Sequence, residues 1–405
     1  MELSIERVEV LLLIAAIVAM AARRLRVPYT VGLVAAGIVL STSTLALDIA
    51  LTKELIFTVF LPPLVFEAAL YLNWPELRHN LPVILTYATL GVLLSAALTA
   101  IGMHFLVDWP WQSAILFGVL IAATDPVSVI ATFKEVGVRG RLRLLVEAES
   151  LFNDSTAAVA FTIALAFAEG QSITAIGVAE TLVTTVLGGL LCGALVAGAM
   201  LLLAGRTEDH LVELTLTTIA AYGSFLLAEH FHLSGVLASL VAGLLVGNVG
   251  SLGSITDKGH ESVESFWEFV AFVVNSLIFI LIGIREASQD FIGLLGVIGI
   301  AVLVVIGGRA VAIYPLSALF ARTHLRVERA HQHVLFWAGL RGALALALAL
   351  GLPATLPHRE EIITVAFGVV AFSLFVQGLT MTPFLRRLGQ LPTRSSAAGP
   401  TDLTN

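Results

Sequence analysis

Residues 142–169 read LRLLVEAESLFNDSTAAVAFTIALAFAE. The run is long and apolar enough to cross a bilayer, which takes about 20 residues. Yet its middle holds Glu149, Ser150, Asn153 and Asp154. Glu149 and Asn153 are four residues apart, as are Ser150 and Asp154. All four are therefore expected on one side of a helix, with Leu151 and Phe152 facing away. A carboxylate beside a hydroxyl is a hard oxygen donor set, suited to a hard monovalent cation. The same carboxylate can take a proton. A group that holds either ion, but not both, is the minimum machinery for exchange. The plainer alternative is a hydrogen-bonded cluster between helices, but two buried acids within six residues are costly glue.

Working outward, apolar runs of similar length recur along all 405 residues. Hydrophobic residues make up 58% of the chain and charged residues 13%, against roughly 25% charged in an average soluble domain. The expected fold is an all-α polytopic membrane protein of 13 spans: 5–22, 27–42, 52–72, 81–107, 112–135, 142–169, 172–204, 209–230, 233–248, 262–284, 290–320, 330–352 and 360–388, with a short polar tail over 389–405. Glu2 and Glu6 precede the first run, and Arg23, Arg24 and Arg26 follow it. That order is the reverse of a cleavable signal peptide and favours a retained helix with its N-terminus outside. On that orientation sixteen of the 22 basic residues fall in cytoplasmic segments, and four (Arg7, Lys53, Arg285 and Arg359) fall outside. Such a bias fits the positive-inside rule and puts the C-terminus in the cytoplasm of a cell whose plasma membrane the chain spans. The net charge of −7 gives no support to nucleic-acid binding. Cys192, the only cysteine, excludes an internal disulfide.

Six ionisable residues fall well inside spans: Glu67, Asp125, Glu149, Asp154, Arg309 and Arg341. At roughly 2.5–3.5 kcal/mol each for an unpaired charge at mid-membrane, they must pair, protonate or line water. Four acids against two arginines favour cations over anions. Arg309 is expected as counter-charge to a buried acid, Arg341 in either role. Glu67, after Leu61-Pro62-Pro63, is read as an inner-vestibule or an interfacial acid. Seven histidines near span ends (His79, His230, His232, His260, His324, His331 and His333) are expected to be solvated, and Gly189–Gly193 and Gly243–Gly247 to be close-packing spacings.

Two spans carry breakable stretches: Thr124-Asp125-Pro126 in span 5 and Gly339-Leu340-Arg341-Gly342 in span 12. Proline removes a helical N–H, and glycine lowers the cost of unwinding. Two six-span halves around span 7 would be inverted repeats, with these breaks at corresponding positions. Paired interruptions point to a transporter site at the midplane.

At Thr124-Asp125-Pro126, Glu149 through Asp154 and Gly339 through Gly342, the chain resembles sodium/proton antiporters of the cation:proton antiporter 1 family, which includes prokaryotic antiporters and animal exchangers. Leu61-Pro62-Pro63 through Glu67 resembles that family's third span. The resemblance implies a thirteen-helix inverted-repeat fold and a homodimer. Interface helices would lie over about 1–72 and 172–284, and a mobile core over about 81–169 and 290–388. It implies Asp154 as the cation/proton carboxylate, with Ser150, Asp125, the Thr124 carbonyl and Glu67 completing a Na+ site. Asn153 would hold the crossing region and Glu149 would pair with Arg309. The Asn153-Asp154 pair resembles electroneutral members. The expected departure from the animal members is the absence of their long regulatory domain after Arg394.

Competing readings are a cation channel, a proton-coupled organic-solute carrier and an intramembrane enzyme. A channel needs a continuous pore and no coupling. A solute carrier wants a larger, more aromatic lining. For an enzyme, His260-Glu261-Ser262-Val263-Glu264 lacks the second histidine of a zinc motif, and neither a nucleophile elbow nor a Walker loop occurs. No cofactor is expected, because Na+ (or Li+ or K+) and H+ are cargo.

Overall fold

The computed structural model describes residues 5–25, 27–42, 51–125, 127–171, 174–250 and 254–391. Glu2, Arg26, Pro126 and Arg394 lie outside the described residues, as does 392–405 of the tail. Among the described residues there are helices and turns but no strand. In chain order the helices are α1 (Ile5–Leu25), α2 (Tyr29–Ser41), α3 (Leu55–Leu70), α4 (Trp74–Val107), α5 (Trp111–Leu120), α6 (Val127–Val136), α7 (Arg141–Ala168), α8 (Ala175–Ala204), α9 (His210–His230), α10 (Gly235–Val249), α11 (Asp257–Glu286), α12 (Ile292–Leu319), α13 (Arg329–Trp337), α14 (Ala343–Leu350) and α15 (Arg359–Arg387). Seven of these (α4, α7, α8, α9, α11, α12 and α15) are long and apolar enough to cross a membrane. Helices α2, α3, α5 and α10 and the middle of α1 are shorter and apolar. The chain is a multi-pass integral membrane protein.

Capping explains where helix ends differ from the hydropathy reading. Helix α4 starts at Trp74 and not at 81, because the Asn73 side chain accepts from the Glu76 N–H at 3.2 Å and Pro75 suits a first turn. Helix α11 starts at Asp257 and not at 262. There Thr256 Oγ1 accepts from the Gly259 N–H at 3.1 Å, and the buried Glu213 of α9 accepts from the Thr256 N–H and Oγ1–H, both at 3.0 Å. Hydropathy reads such polar first turns as loop.

Helix α2 packs along α11, α3 along α10, and α8 along α9 and α10. Separately, α4 packs along α12 and α5, and α5 along α7. The spacings Gly189–Gly193 and Gly243–Gly247 are used inside the chain. A side-chain carbon there would strike carbonyl oxygens of Ser234 and Ala238, or of Phe66 and Leu70.

The stretches expected as spans 5 and 12 are each in two pieces. Residues 121–125 separate α5 from α6, and residues 338–342 separate α13 from α14. Breaking α13 at Trp337 frees carbonyls in its last turn, and Arg309 of α12 takes one of them. Its Nε and Nη2 donate to the Leu335 carbonyl at 3.3 and 2.8 Å. The same guanidinium grips Glu149 of α7 in a two-point bond, Nη1 to Oε1 at 2.7 Å and Nη2 to Oε2 at 2.9 Å. Arg309 is 7% and Glu149 1% exposed. One buried pair thus ties α7, α12 and the end of α13 together.

Removing one member of such a pair strands the other. Arg309→Ala is expected to destabilise the protein by about 3–5 kcal/mol, read as a lower melting temperature of the purified protein. A Glu149→Gln/Arg309→Gln double variant should recover part of the loss. A single variant as stable as the wild type would show that the pair does not hold the helices together.

Candidate ion-binding site

The two broken stretches cross, and each satisfies the other's backbone. The Asp125 N–H donates to the Leu340 carbonyl at 2.7 Å. In return Arg341, 1% exposed, donates Nη1 to the carbonyls of Ala122 and Ala123 at 2.7 and 3.0 Å. Irregular backbone survives at membrane depth only where protein or cavity water satisfies it, and here protein does. Two glycines make room for the crossing. A side-chain carbon on Gly342 would overlap the Asp125 carboxylate, and one on Gly339 would lie 2.6 Å from Arg309 Nε. Asp125 Oδ1 accepts from the Val127 N–H at 2.9 Å, which caps the start of α6.

Asn153 locks α7 onto the first crossing strand. Its Oδ1 accepts from the Thr124 N–H at 3.1 Å, and its Nδ2 donates to Thr124 Oγ1 at 2.6 Å and to Glu149 Oε1 at 3.0 Å. Ser150 Oγ lies 3.0 Å from Thr124 Oγ1. All three side chains of this carboxamide–hydroxyl cluster, Asn153, Thr124 and Ser150, are therefore engaged with protein.

Beside this cluster is a cavity of about 310 Å³, whose wall includes Thr124, Asp125, Asp154 and Glu67. Asp154 is 8% exposed, and among the described residues no donor lies within hydrogen-bond distance of its carboxylate. The contrast with Glu149, five residues earlier, is sharp: one acid is fully neutralised by arginine, and the other faces open space. Lys134, Arg143, Glu147 and Glu268 also border the cavity. Lys134 and Glu268 are solvent-exposed and mark its mouth. Their charged atoms lie 3.9 Å apart, and Lys134 Nζ sits 5.9 Å from the centre of the Tyr71 ring. Acids outnumber bases on this wall, so the cavity draws cations.

The structure brings Thr124, Asp125, Asp154 and Glu67 onto one wall, and it sets Ser150, Asn153 and Glu149 behind it. Leu151, expected to face away with Phe152, borders the cavity beside Asp154; Phe152 alone turns to the other side. The four-residue spacing puts Ser150 and Asp154 one turn apart on the same side of α7, but Ser150 meets Thr124 Oγ1 while Asp154 reaches the cavity. Arg341 borders a separate water-sized space with Ser373 and Gln377, and its Nε has no partner among the described residues. No three histidine, cysteine, aspartate or glutamate side chains among the described residues cluster as a metal site would require. A cation here would rest on one or two carboxylates plus neutral oxygens.

Three buried acids escaped the sequence reading: Glu147, Glu213 and Glu286. Glu147 was findable, since Arg143 stands four residues before it on the same helix and its Nε lies 3.4 Å from the Glu147 carboxylate. Glu213 and Glu286 lie near helix ends, where hydropathy does not separate buried from solvated.

Residues 10–387 match the transmembrane sodium/hydrogen exchanger family. The low-affinity Na+/H+ antiporter NhaS1 of Synechocystis is 40% identical over 378 residues, 91% of this chain and 72% of that protein. The Na+/H+ antiporter NhaH of Halobacillus dabanensis is 34% identical over 401 residues, 95% of this chain and 98% of that one. The fold is similar to that of the sodium proton antiporter MjNhaP1 from Methanocaldococcus jannaschii at pH 8, with a TM-score of 0.75 and 21% identity over 95% of this chain and 98% of that one. A match running through nearly every helix, both breaks and the cavity wall leaves one assignment: this chain belongs to the sodium/hydrogen exchanger family.

Proposed function

We propose that the chain is a secondary antiporter that exchanges Na+, or a related alkali cation, for H+, with both ions competing for Asp154. The observation that carries the reading is a buried carboxylate with no donor among the described residues, on the wall of an acid-rich cavity, next to two interrupted helices. Family membership supports the same activity. Asp125, the Thr124 carbonyl and the cavity's water would complete the cation's oxygen shell, and Glu67 would attract cations on entry. Ser150 would tune the shell through Thr124, while Asn153 and the Glu149–Arg309 pair hold the geometry. Arg341 would keep the crossing strands in register. The helices over about 81–169 and 290–388 would move as a core against those over about 1–72 and 172–284, exposing Asp154 alternately to each side. Counting each broken pair as one crossing gives thirteen, with the N-terminus outside and the cavity mouth, at Lys134 and Glu268, cytoplasmic. The interface set would pair two copies in the plasma membrane.

Asp154→Asn keeps shape and one oxygen ligand but removes both the charge and the titratable proton. Exchange in proteoliposomes is expected to vanish while the protein still inserts and folds; sodium-driven proton movement in that variant would overturn the assignment of Asp154.

A shared site also dictates kinetics. Lowering pH should raise the apparent sodium KM without a matching fall in maximal rate, measured as initial sodium uptake across a pH series. A fall in maximal rate at constant KM would place the two ions on separate sites.

One proton for one sodium moves no net charge, so a potassium–valinomycin clamp should leave the transport equilibrium in place. A net charge would respond strongly, at about 2.3 kcal/mol per 100 mV. An equilibrium that follows the clamped voltage would refute electroneutral exchange and leave exchange itself intact.

A further inference from the structure

On the opposite side of α7 from the ion cavity lies a second and larger space, a groove of about 1280 Å³. Its walls come from both helix sets, with α4, α5 and α7 on one side and α8 and α10 on the other. Along α4 it runs from Leu77 to Leu93, about 24 Å at 1.5 Å per residue. That is most of the roughly 30 Å hydrocarbon core of a bilayer. The lining residues Leu85, Leu93, Leu182 and Phe167 are exposed, so the groove opens sideways into the hydrocarbon.

We infer that this groove holds the acyl chains of a bilayer phospholipid. A protein interior tolerates few voids larger than a water molecule, and an apolar space stays dry. The groove exceeds the roughly 300–1,000 Å³ of an ordinary small-molecule site, and among the described residues no polar groups converge in it to orient a polar ligand. The hydroxyls in its wall are already used: Thr89 donates to the Leu85 carbonyl at 2.6 Å, Thr156 to Phe152 at 3.1 Å and Ser155 to Leu151 at 3.4 Å. Asn248, at one end, donates to the Leu72 and Leu244 carbonyls, both at 2.9 Å, and accepts from the Trp74 N–H at 2.8 Å. What remains is an apolar slot of membrane height. Trp74, 42% exposed, stands at the same end, and an indole there fits the headgroup level. An aliphatic chain anchored by an interfacial headgroup fits length, polarity and access together.

The occupant would touch the transport helix from behind. Phe152, Ser155 and Val159 face the groove, while Leu151 and Asp154 of the same helix face the ion cavity. Because the two walls belong to different helix sets, sliding one set against the other reshapes the slot. The lipid is thus a packing element between them, independent of which ions are exchanged.

The test uses the purified full chain in detergent micelles, titrated with a phosphatidylcholine carrying a photoactivatable diazirine in its acyl chain, with labelled peptides mapped by mass spectrometry. Groove peptides around Leu85–Leu93 and Val241 should label saturably, near one lipid per chain. The lipid-facing Leu303 of α12, 71% exposed, should label only in proportion to lipid content. Ala160→Phe fills the slot and should lower groove labelling several-fold with Leu303 unaffected; Leu244→Trp serves the same end should the first variant prove unfolded. Labelling that rises in parallel at both places, or that neither filling variant changes, overturns the proposal. So does a groove covered by a second copy, in which groove labelling is absent and Val241→Cys, in a Cys192→Ser background, forms disulfide-linked dimers.

Discussion

In hydrocarbon, an unwound stretch of backbone has no water to turn to, and each bare N–H or C=O costs several kcal/mol. The crossing near Asp125 and Leu340 answers that constraint. One strand's N–H is met by the other strand's carbonyl, and Arg341 reaches back to bond Ala122 and Ala123. Much else follows from this exchange. It lets two helices stop at mid-depth, it places Thr124 and Asp125 on a cavity wall, and it requires glycine at 342 so that the Asp125 side chain has somewhere to lie. A larger residue there would force the strands apart and leave both breaks unsatisfied.

Around the crossing, charge is sorted into two kinds. Glu149 is matched by Arg309 in a two-point bond and takes no part in the cavity. Asp154, one and a half turns further along the same helix, has no such partner among the described residues and borders the open space. Asn153 bonds both to Glu149 and to Thr124, so the neutralised acid, the crossing strand and the free acid are held in one rigid set. A neutral amide suits that post: it donates to one neighbour and accepts from another without adding charge to a region already rich in acids.

Helix α7 stands between two spaces of opposite character, an acid-walled cavity and an apolar groove. Both spaces are bounded by helices of the two sets, so neither side of α7 is sealed by direct packing along its whole length. The polar contacts of α7 are concentrated between these two spaces, at Arg309 of α12 and at Thr124 in the crossing.

Much of this was legible in the residues alone. The apolar runs betray membrane helices because hydrocarbon is the solvent there. Acids at 67, 125, 149 and 154 stand out because they are costly in it. Thr124-Asp125-Pro126 and Gly339 through Gly342 mark breaks because these residue types weaken helices locally. Helix starts at Trp74 and Asp257 were less legible, since a capped polar turn has the hydropathy of a loop. Which acid is neutralised and which is free could not be read from spacing: Glu149 and Asp154 lie on one helix, and only the approach of Arg309, 160 positions away, distinguishes them. The same holds for Ser150, turned to Thr124 and away from the cavity, and for Leu151, turned toward it. Local sequence determines which groups are present and what each costs to bury; tertiary packing decides which of them meet, because partners far apart in the chain are brought together only by the crossing of helices.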